Sequence, residues 1–304
     1  MKVAVTGATG TIGRAVVRAL VERGDSVVAL SRDASSADLG PDVEVHSWRA
    51  PKQEAAPAAA FADVEGVVHL LGEPVAQRWS DDAKREIRES RVLGTRNLVA
   101  GLREAGPRLR VLVSQSATGI YGARGAEPVD ESAPAGDDFL ASVVVEWEAE
   151  ARAAAEELGL RVPVCRTGVV LSPSGGALET MLTPFKLGVG GPVAGGDQYI
   201  PWVHIDDVAG ALLFALDSEE ADGPMNVTAP APATNKEFSK ALGRALHRPA
   251  VLPVPGFAIR LLYGEMATIV TTGVRAEPKR LQELGYAFHR PDLGPALEAT
   301  LEAT

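Results

Sequence analysis

A short apolar strand, Lys2 to Thr6, runs without a break into Gly7-Ala8-Thr9-Gly10-Thr11-Ile12-Gly13, and a helical pattern carrying Ala15, Val16, Ala19 and Leu20 follows. Strand, glycine turn and helix in that order constrain the fold more than any other feature of the chain. Gly7 permits the tight strand-to-helix turn, Gly10 lets backbone amides close on a pyrophosphate, and Gly13 lets the helix pack against the strand. The helix begins near Thr11, so its unpaired N–H groups and dipole make an anion site that Thr9, Thr11 and Ile12 share. Glycine-rich turns are common by themselves; the flanking strand and helix make this one a dinucleotide site.

The end of the second strand, Ser26 to Leu30, bears on which dinucleotide. A site selective for a free ribose 2′-hydroxyl places a carboxylate there, which would repel a 2′-phosphate. This chain has Ser31 and Arg32, with Asp33 later than that position. Ser31 can donate to a phosphate and Arg32 can form charge-assisted bonds to it, so NADP(H) is the expected cofactor. The alternative for Arg32 is an ordinary surface arginine.

With 304 residues the chain can bury a full core, and its net charge of −10 argues against nucleic acid or an anionic membrane as a partner. No apolar run approaches a membrane span and no charged leader precedes the first strand, so a soluble, cytoplasmic protein is expected, as a monomer or homodimer. Cys165, the only cysteine, lies in an apolar strand and reads as a buried inert thiol. The five histidines lack zinc-like spacing, so no metal is expected.

Apolar runs at Val3–Thr6, Ser26–Leu30, Val43–Val45, Val67–Leu71, Val111–Ser114 and Val162–Leu171 alternate with helical patterns. That alternation predicts an α/β, Rossmann-type doubly wound parallel sheet. Gln53 to Ala60, followed by Phe61 and Val64, reads as a short helix. After Leu171 a Ser-Pro-Ser-Gly-Gly turn and the glycines from Gly188 to Gly196 break the alternation. Residues 1–172 are therefore expected to form the nucleotide domain, with 200–222 returning to it, and 173–199 and 223–304 a smaller substrate cap that includes a strand at Met225–Thr228. His204-Ile205-Asp206-Asp207 starts a helix, where the two carboxylates suit capping better than catalysis.

A further helix, Ser80 to Leu102, carries Lys84, Arg88, Arg91, Thr95, Leu98 and Leu102 along one stripe. Its apolar half should pack on the sheet and its cationic half should project beyond the sheet edge, where open α/β folds place ligands. Arg91, next to the apolar half, reads as a cleft residue; for Lys84 and Arg88 a solvated face paired with Asp81, Glu86 and Glu89 is an equal alternative.

Together GATGTIG, His69-Leu70-Leu71-Gly72, Gly94-Thr95-Arg96-Asn97-Leu98, Ser114-Gln115-Ser116-Ala117-Thr118 and Val203-His204-Ile205-Asp206-Asp207 resemble the extended short-chain dehydrogenase/reductases, the NAD-dependent epimerase/dehydratase superfamily. Within it the chain is similar to the atypical, YfcH-like branch of epimerase family proteins, some of whose members are described as cell-division inhibitors. Gly72-Glu73-Pro74, Trp79 with Ser90-Arg91, Gly119-Ile120-Tyr121-Gly122, Asp137-Asp138-Phe139-Leu140, Gln198 with Trp202, Asn226-Val227-Thr228-Ala229-Pro230, Gly264-Glu265-Met266 and Leu284-Gly285-Tyr286 carry that likeness. The resemblance implies that Leu70, Leu71, Gly72, Ser114, Gly168 and Val169 border the cofactor. It also implies that Ser116 holds a substrate oxygen, as Thr118 could.

The superfamily's proton-handling Tyr-x-x-x-Lys pair is missing. The corresponding helix begins Phe139-Leu140-Ala141-Ser142-Val143, and no Tyr or Lys occurs between Gly122 and Leu160. Phe cannot transfer a proton. The expected function is an NADP(H)-dependent oxidoreductase, epimerase-like in fold, acting on a small carbonyl or hydroxyl compound that carries an anionic group. Its candidate catalytic residues are Ser116, Tyr121 and Arg91, and Arg88, Gln198 and Trp202 are candidates for binding substrate. The rival is a catalytically reduced NADPH-binding regulator or scaffold.

Overall fold

The structure is a computed structural model and describes residues 1–302. Seven parallel strands form the central sheet: β1 (Lys2–Thr6), β2 (Ser26–Ser31), β3 (Val43–Ser47), β4 (Gly66–His69), β5 (Val111–Ala117), β6 (Pro163–Thr167) and β7 (Gly223–Val227). Their spatial order is β7-β6-β5-β4-β1-β2-β3, so the direction of winding reverses between β1 and β4. Ligands of doubly wound sheets bind at such a reversal, outside the carboxyl ends of the strands. Both faces of the sheet are covered, which explains why its strands are continuously apolar rather than alternating.

The helices are α1 (Thr11–Glu22), α2 (Asp81–Leu102), α3 (Phe139–Leu158), α4 (Gly176–Lys186), α5 (Ile205–Asp217), α6 (Asn235–Ala245), α7 (Gly256–Tyr263), α8 (Ala267–Thr271), α9 (Lys279–Glu283) and α10 (Leu293–Glu302). Val3, Val5, Val111 and Val113 pack on one face against Val16, Leu20, Leu212 and Leu216 of α1 and α5. Their neighbours Ala4 and Leu112 point to the other face, against Leu98 and Leu102 of α2 and Ala151 and Ala154 of α3. That period-two alternation divides the core into two layers. Outside the central sheet, Leu182, Phe185, Phe238, Leu242 and Leu297 surround Trp202 in a further apolar cluster, and the segments that form it are called the cap.

Three expectations from sequence need correction. Gln53 to Ala60 contains no α-helix; Ala58–Phe61 forms a single 3-10 turn that still buries Phe61. Val162 to Leu171 is two strands, because after β6 the chain bends at Gly168 and Val169–Leu171 pairs in parallel with Trp202–His204. The strand assigned to the smaller domain is β7, which pairs with β6 at the edge of the central sheet. Its apolar residues Met225 and Val227 are fully buried in the layer of α1 and α5, and that burial draws the strand back to the sheet.

α5 begins as the sequence predicts, with the His204 side chain accepting from Asp206 N at 3.2 Å. Asp207 does more than favour a helix dipole. Its buried carboxylate accepts from His289 N at 2.6 Å and Arg290 N at 2.9 Å, and so ties the C-terminal segment to the sheet domain.

Candidate active site

The glycine turn is built by close contact. Gly7 has φ +65°, and a Cβ there would stand 2.7 Å from the Leu70 carbonyl oxygen. At Gly13 a Cβ would lie 2.2 Å from Gly7 O, so only glycine brings α1 this close to the turn. Gly10 is exposed and extended at the N-cap of α1, Thr9 is exposed beside it, and Thr11 and Ile12 are half-buried in the first turn. The Thr11 hydroxyl donates to Ser174 O at 3.3 Å, which joins the turn to the start of the cap.

Beneath this turn His69 is fully buried between two hydroxyls, with Nδ1 2.7 Å from Thr6 Oγ1 and Nε2 2.9 Å from Thr95 Oγ1. Thr6 Oγ1 also accepts from Leu70 N at 3.2 Å, which links the hydroxyl to the start of the loop after β4. Burial holds the imidazole neutral, with its pKa lowered to about 3. In the sequence His69 stands only as part of a motif; in the fold it pins β1, β4 and α2 together.

At the end of β2, the Ser31 hydroxyl donates to Asp33 O at 3.1 Å. The Asp33 carboxylate folds back on its own loop, accepting from Ser35 N at 3.0 Å and Ser35 Oγ at 2.6 Å. These bonds from Ser35 lower its pKa. Arg32 is exposed and has no ion pair among the described residues. Close by, Arg14 donates to Thr9 O at 3.1 Å and to Asp38 O at 2.7 Å, bracing the loop after β2 against the glycine turn.

The far side of the cleft, at the ends of β5 and β6, is closed by a buried charge network that the sequence reading missed. Glu148 of α3 takes a two-point ion pair from Arg166 of β6, Nε to Oε1 at 2.8 Å and Nη2 to Oε2 at 2.9 Å. Both residues are buried. Ser116 donates to the same carboxylate at 2.6 Å, so the hydroxyl expected to hold a substrate oxygen is committed to the interior. Tyr121 is also buried, donating to Asn226 Oδ1 at 2.7 Å and accepting from Arg166 Nη1 at 3.1 Å. Burial raises its pKa, which makes it a poor proton donor at neutral pH. Burial works against the charge of Arg166, but the bonds and charge of Glu148 outweigh it and raise the guanidinium pKa. Two signals for this network were present in the sequence: an arginine inside an apolar strand, and Glu148 on the helix face carrying Ala141, Val144 and Ala151.

Other expected site residues are also occupied. Arg91 points neither to bulk solvent nor to a carboxylate: Nη1 donates to Glu73 O at 2.9 Å and Ile87 O at 3.0 Å, and the guanidinium lies 5.2 Å from the Trp147 ring centre. Burial lowers its pKa to about 10, so it remains a cation at neutral pH, held flat under Gly72. Arg88 pairs with Glu146 at 2.8 Å on the outer surface of α2 and α3. Gln198 donates to Val193 O and Val270 O within the cap, and the fully buried Trp202 donates to Ala231 O at 3.1 Å, so both brace the cap. Gly168 serves a chain crossing, since a Cβ there would meet Pro201 O at 1.9 Å, and Val169 N donates to that same oxygen at 2.7 Å. Ser114 is buried within β5, and its hydroxyl donates to Gln115 O at 3.2 Å. By contrast, the Thr118 hydroxyl, just past β5, makes no hydrogen bond among the described residues. Cys165 is a buried thiol whose pKa burial pushes up to about 12.

Among the described residues no helix is long and apolar enough to cross a membrane. The model of the NAD dependent epimerase/dehydratase family matches residues 3–228, and a domain of unknown function, DUF1731, matches residues 254–300. Among similar curated proteins, the epimerase family protein Mb2239 of Mycobacterium bovis is 40% identical over 297 residues, covering 97% of this chain and 96% of that one. The human epimerase family protein SDR39U1 is similar in structure, with a TM-score of 0.89, 34% identity and full coverage of both chains; its crystal structure contains NADPH. The UDP-glucose 4-epimerase of Thermus thermophilus shares the fold at a TM-score of 0.79 and 22% identity, over 99% of this chain and 98% of that one. By motif, topology and these matches, the chain belongs to the NAD-dependent epimerase/dehydratase family of extended short-chain dehydrogenase/reductases, with a DUF1731 domain at its C-terminal end.

Proposed function

We propose that the chain is an NADP(H)-dependent oxidoreductase acting on a small carbonyl or hydroxyl compound that carries an anionic group. The end of β2 carries this reading: Arg32 stands unpaired where a 2′-phosphate would lie, and the carboxylate of Asp33 is turned onto Ser35. The cradle also fits the cofactor, since the spaces at Gly7 and Gly13 close to any side chain and the exposed Gly10 backbone begins α1. Gly7, Thr9, Gly10, Thr11, Ile12 and Gly13 would hold the pyrophosphate, Ser31 and Arg32 the 2′-phosphate, and Leu70, Leu71 and Gly72 the inner wall. Bound NADPH would supply the hydride chemistry.

For the chain's own part, Thr118 replaces Ser116 as the candidate for positioning the reacting oxygen, because its hydroxyl, though buried, is uncommitted whereas that of Ser116 is held by Glu148. Arg91 would stiffen the Gly72-Glu73 turn. The human relative crystallised with NADPH lends further support. Titration calorimetry tests the cofactor: Arg32→Ala should weaken NADPH by about 1.5 to 3 kcal/mol and leave NADH nearly unchanged. Equal weakening of both would remove Arg32 from the site.

The burial of Ser116 and Tyr121 favours a second reading, an NADPH-binding regulator without turnover. A panel of keto acids, aldehydes and phosphorylated carbonyl compounds separates the two. NADPH consumption that is lost in Thr118→Val supports the enzyme, whereas tight NADPH binding with no consumption across the panel supports the regulator.

A further inference from the structure

Between the first turns of α2 and α3 a lysine ammonium stands beside the ring that takes the place of the phenol the resemblance implies. Phe139 opens α3 at the position of the superfamily tyrosine, and Lys84 Nζ of α2 lies 5.1 Å from its ring centre and 6.0 Å from that of Trp79. The two rings meet edge to face at 5.2 Å, and the indole is fixed by Nε1 donating to Val75 O at 3.0 Å. The next residue, Leu140, faces Gly119 in the turn that follows β5. A third contact comes from the cap: Lys84 Nζ is ion-paired with the carboxylate of Glu265.

The two partners are held unequally. The Lys84 side chain is 25% exposed within its aromatic walls, whereas Glu265 is 57% exposed on a short turn. An ion pair this open contributes little stability, so another carboxylate can take its place when it brings contacts of its own. The aromatic rings supply such contacts for a flat or apolar body, and they favour the cation that remains. We propose that Lys84 is the seat for the substrate's carboxylate and that Glu265 occupies it until substrate arrives. This rests on the reading of the cleft as a substrate site and names the anionic class of that substrate; it also moves the anion anchor from Arg91 to Lys84.

Benzoate, with benzamide as its neutral counterpart, tests the seat by calorimetric titration of the intact protein, with and without NADPH. Benzoate should bind and benzamide should bind about tenfold more weakly or worse, because an ammonium discriminates by charge. Lys84→Met should lose benzoate by a similar factor, while Glu265→Gln should tighten it severalfold by removing the internal competitor. NADPH affinity and the melting temperature, measured on both variants, establish that the fold is intact. Weaker benzoate binding in Glu265→Gln, unchanged binding in Lys84→Met, or no binding in any variant would each overturn the proposal. NADPH consumption by the unaltered protein is recorded separately, so an inactive protein that still binds benzoate through Lys84 would refute the oxidoreductase and not the seat.

Discussion

The two halves of the cleft are built on opposite principles. On the β1, α1 and β2 side the backbone does the work: glycines leave space, α1 begins on the exposed Gly10 backbone, and Arg32 is unpaired. On the β5 and β6 side the side chains are already satisfied by one another, with Ser116, Glu148, Arg166, Tyr121 and Asn226 forming one buried chain of bonds. The first half is shaped for a ligand to complete; the second completes itself. The glycine turn thus depends on backbone geometry, whereas the role of the Ser116 and Tyr121 hydroxyls depends on what faces them.

Acid titration should expose the largest effect, at the join between the halves. Folded, His69 is neutral down to about pH 3 because it is buried. Unfolded, it takes up a proton near pH 6.5. Between those values the unfolded chain binds the extra proton, so the stability contributed by neutral His69 is present above pH 6.5 and drains away as the pH falls toward 3. The loss should reach about 4 to 5 kcal/mol. Denaturant unfolding at several pH values, compared with His69→Gln, isolates this contribution; identical slopes in the two proteins would refute it.

The closed half should break hard when one partner is removed. Arg166→Met leaves Glu148 as a buried charge without its two-point partner and should cost about 3 to 5 kcal/mol, whereas Arg166→Met combined with Glu148→Leu should recover most of that loss. Chemical denaturation measures both. If the double variant were no more stable than the single one, the pair would not be a self-contained unit.

The open half should respond instead in binding. Gly7→Ala forces a left-handed φ on an alanine and drives its Cβ toward Leu70 O, so NADPH affinity should fall by about 2 kcal/mol. Fluorescence titration with NADPH gives the value, and unchanged affinity would show that the turn relaxes. The smallest effect should be Ser116→Ala, which removes one of three donors to Glu148: about 1 kcal/mol of stability, with NADPH affinity unchanged. A loss of NADPH binding there would put Ser116 back in the cleft.

Local features were the ones legible in the sequence. The glycine turn, the start of α2 next to Ser80 and the start of α3 at Phe139 all follow from residues within a few turns of one another. The strand at Gly223–Val227 was legible as a strand but not as part of the central sheet, since strand propensity does not name a neighbour. Arg91 was legible as a special cation, yet its targets, the carbonyl of Glu73 and the face of Trp147, lie on separate elements.

By itself the sequence determined the α/β alternation of the first half of the chain, the dinucleotide turn and the presence of Phe rather than Tyr at 139, because these depend on periodicity, glycine freedom and residue identity. Only the tertiary structure decided which polar side chains are spent and which remain available. Ser116 and Thr118 are neighbours in sequence, but Ser116 points along the α3 side of β5 to Glu148, and the Thr118 hydroxyl lies past the end of the strand with no bond of its own. Whether a hydroxyl serves chemistry or packing is set by what the fold brings opposite it, and Glu148, Arg166 and Glu265 reach this site from three separate stretches of the chain.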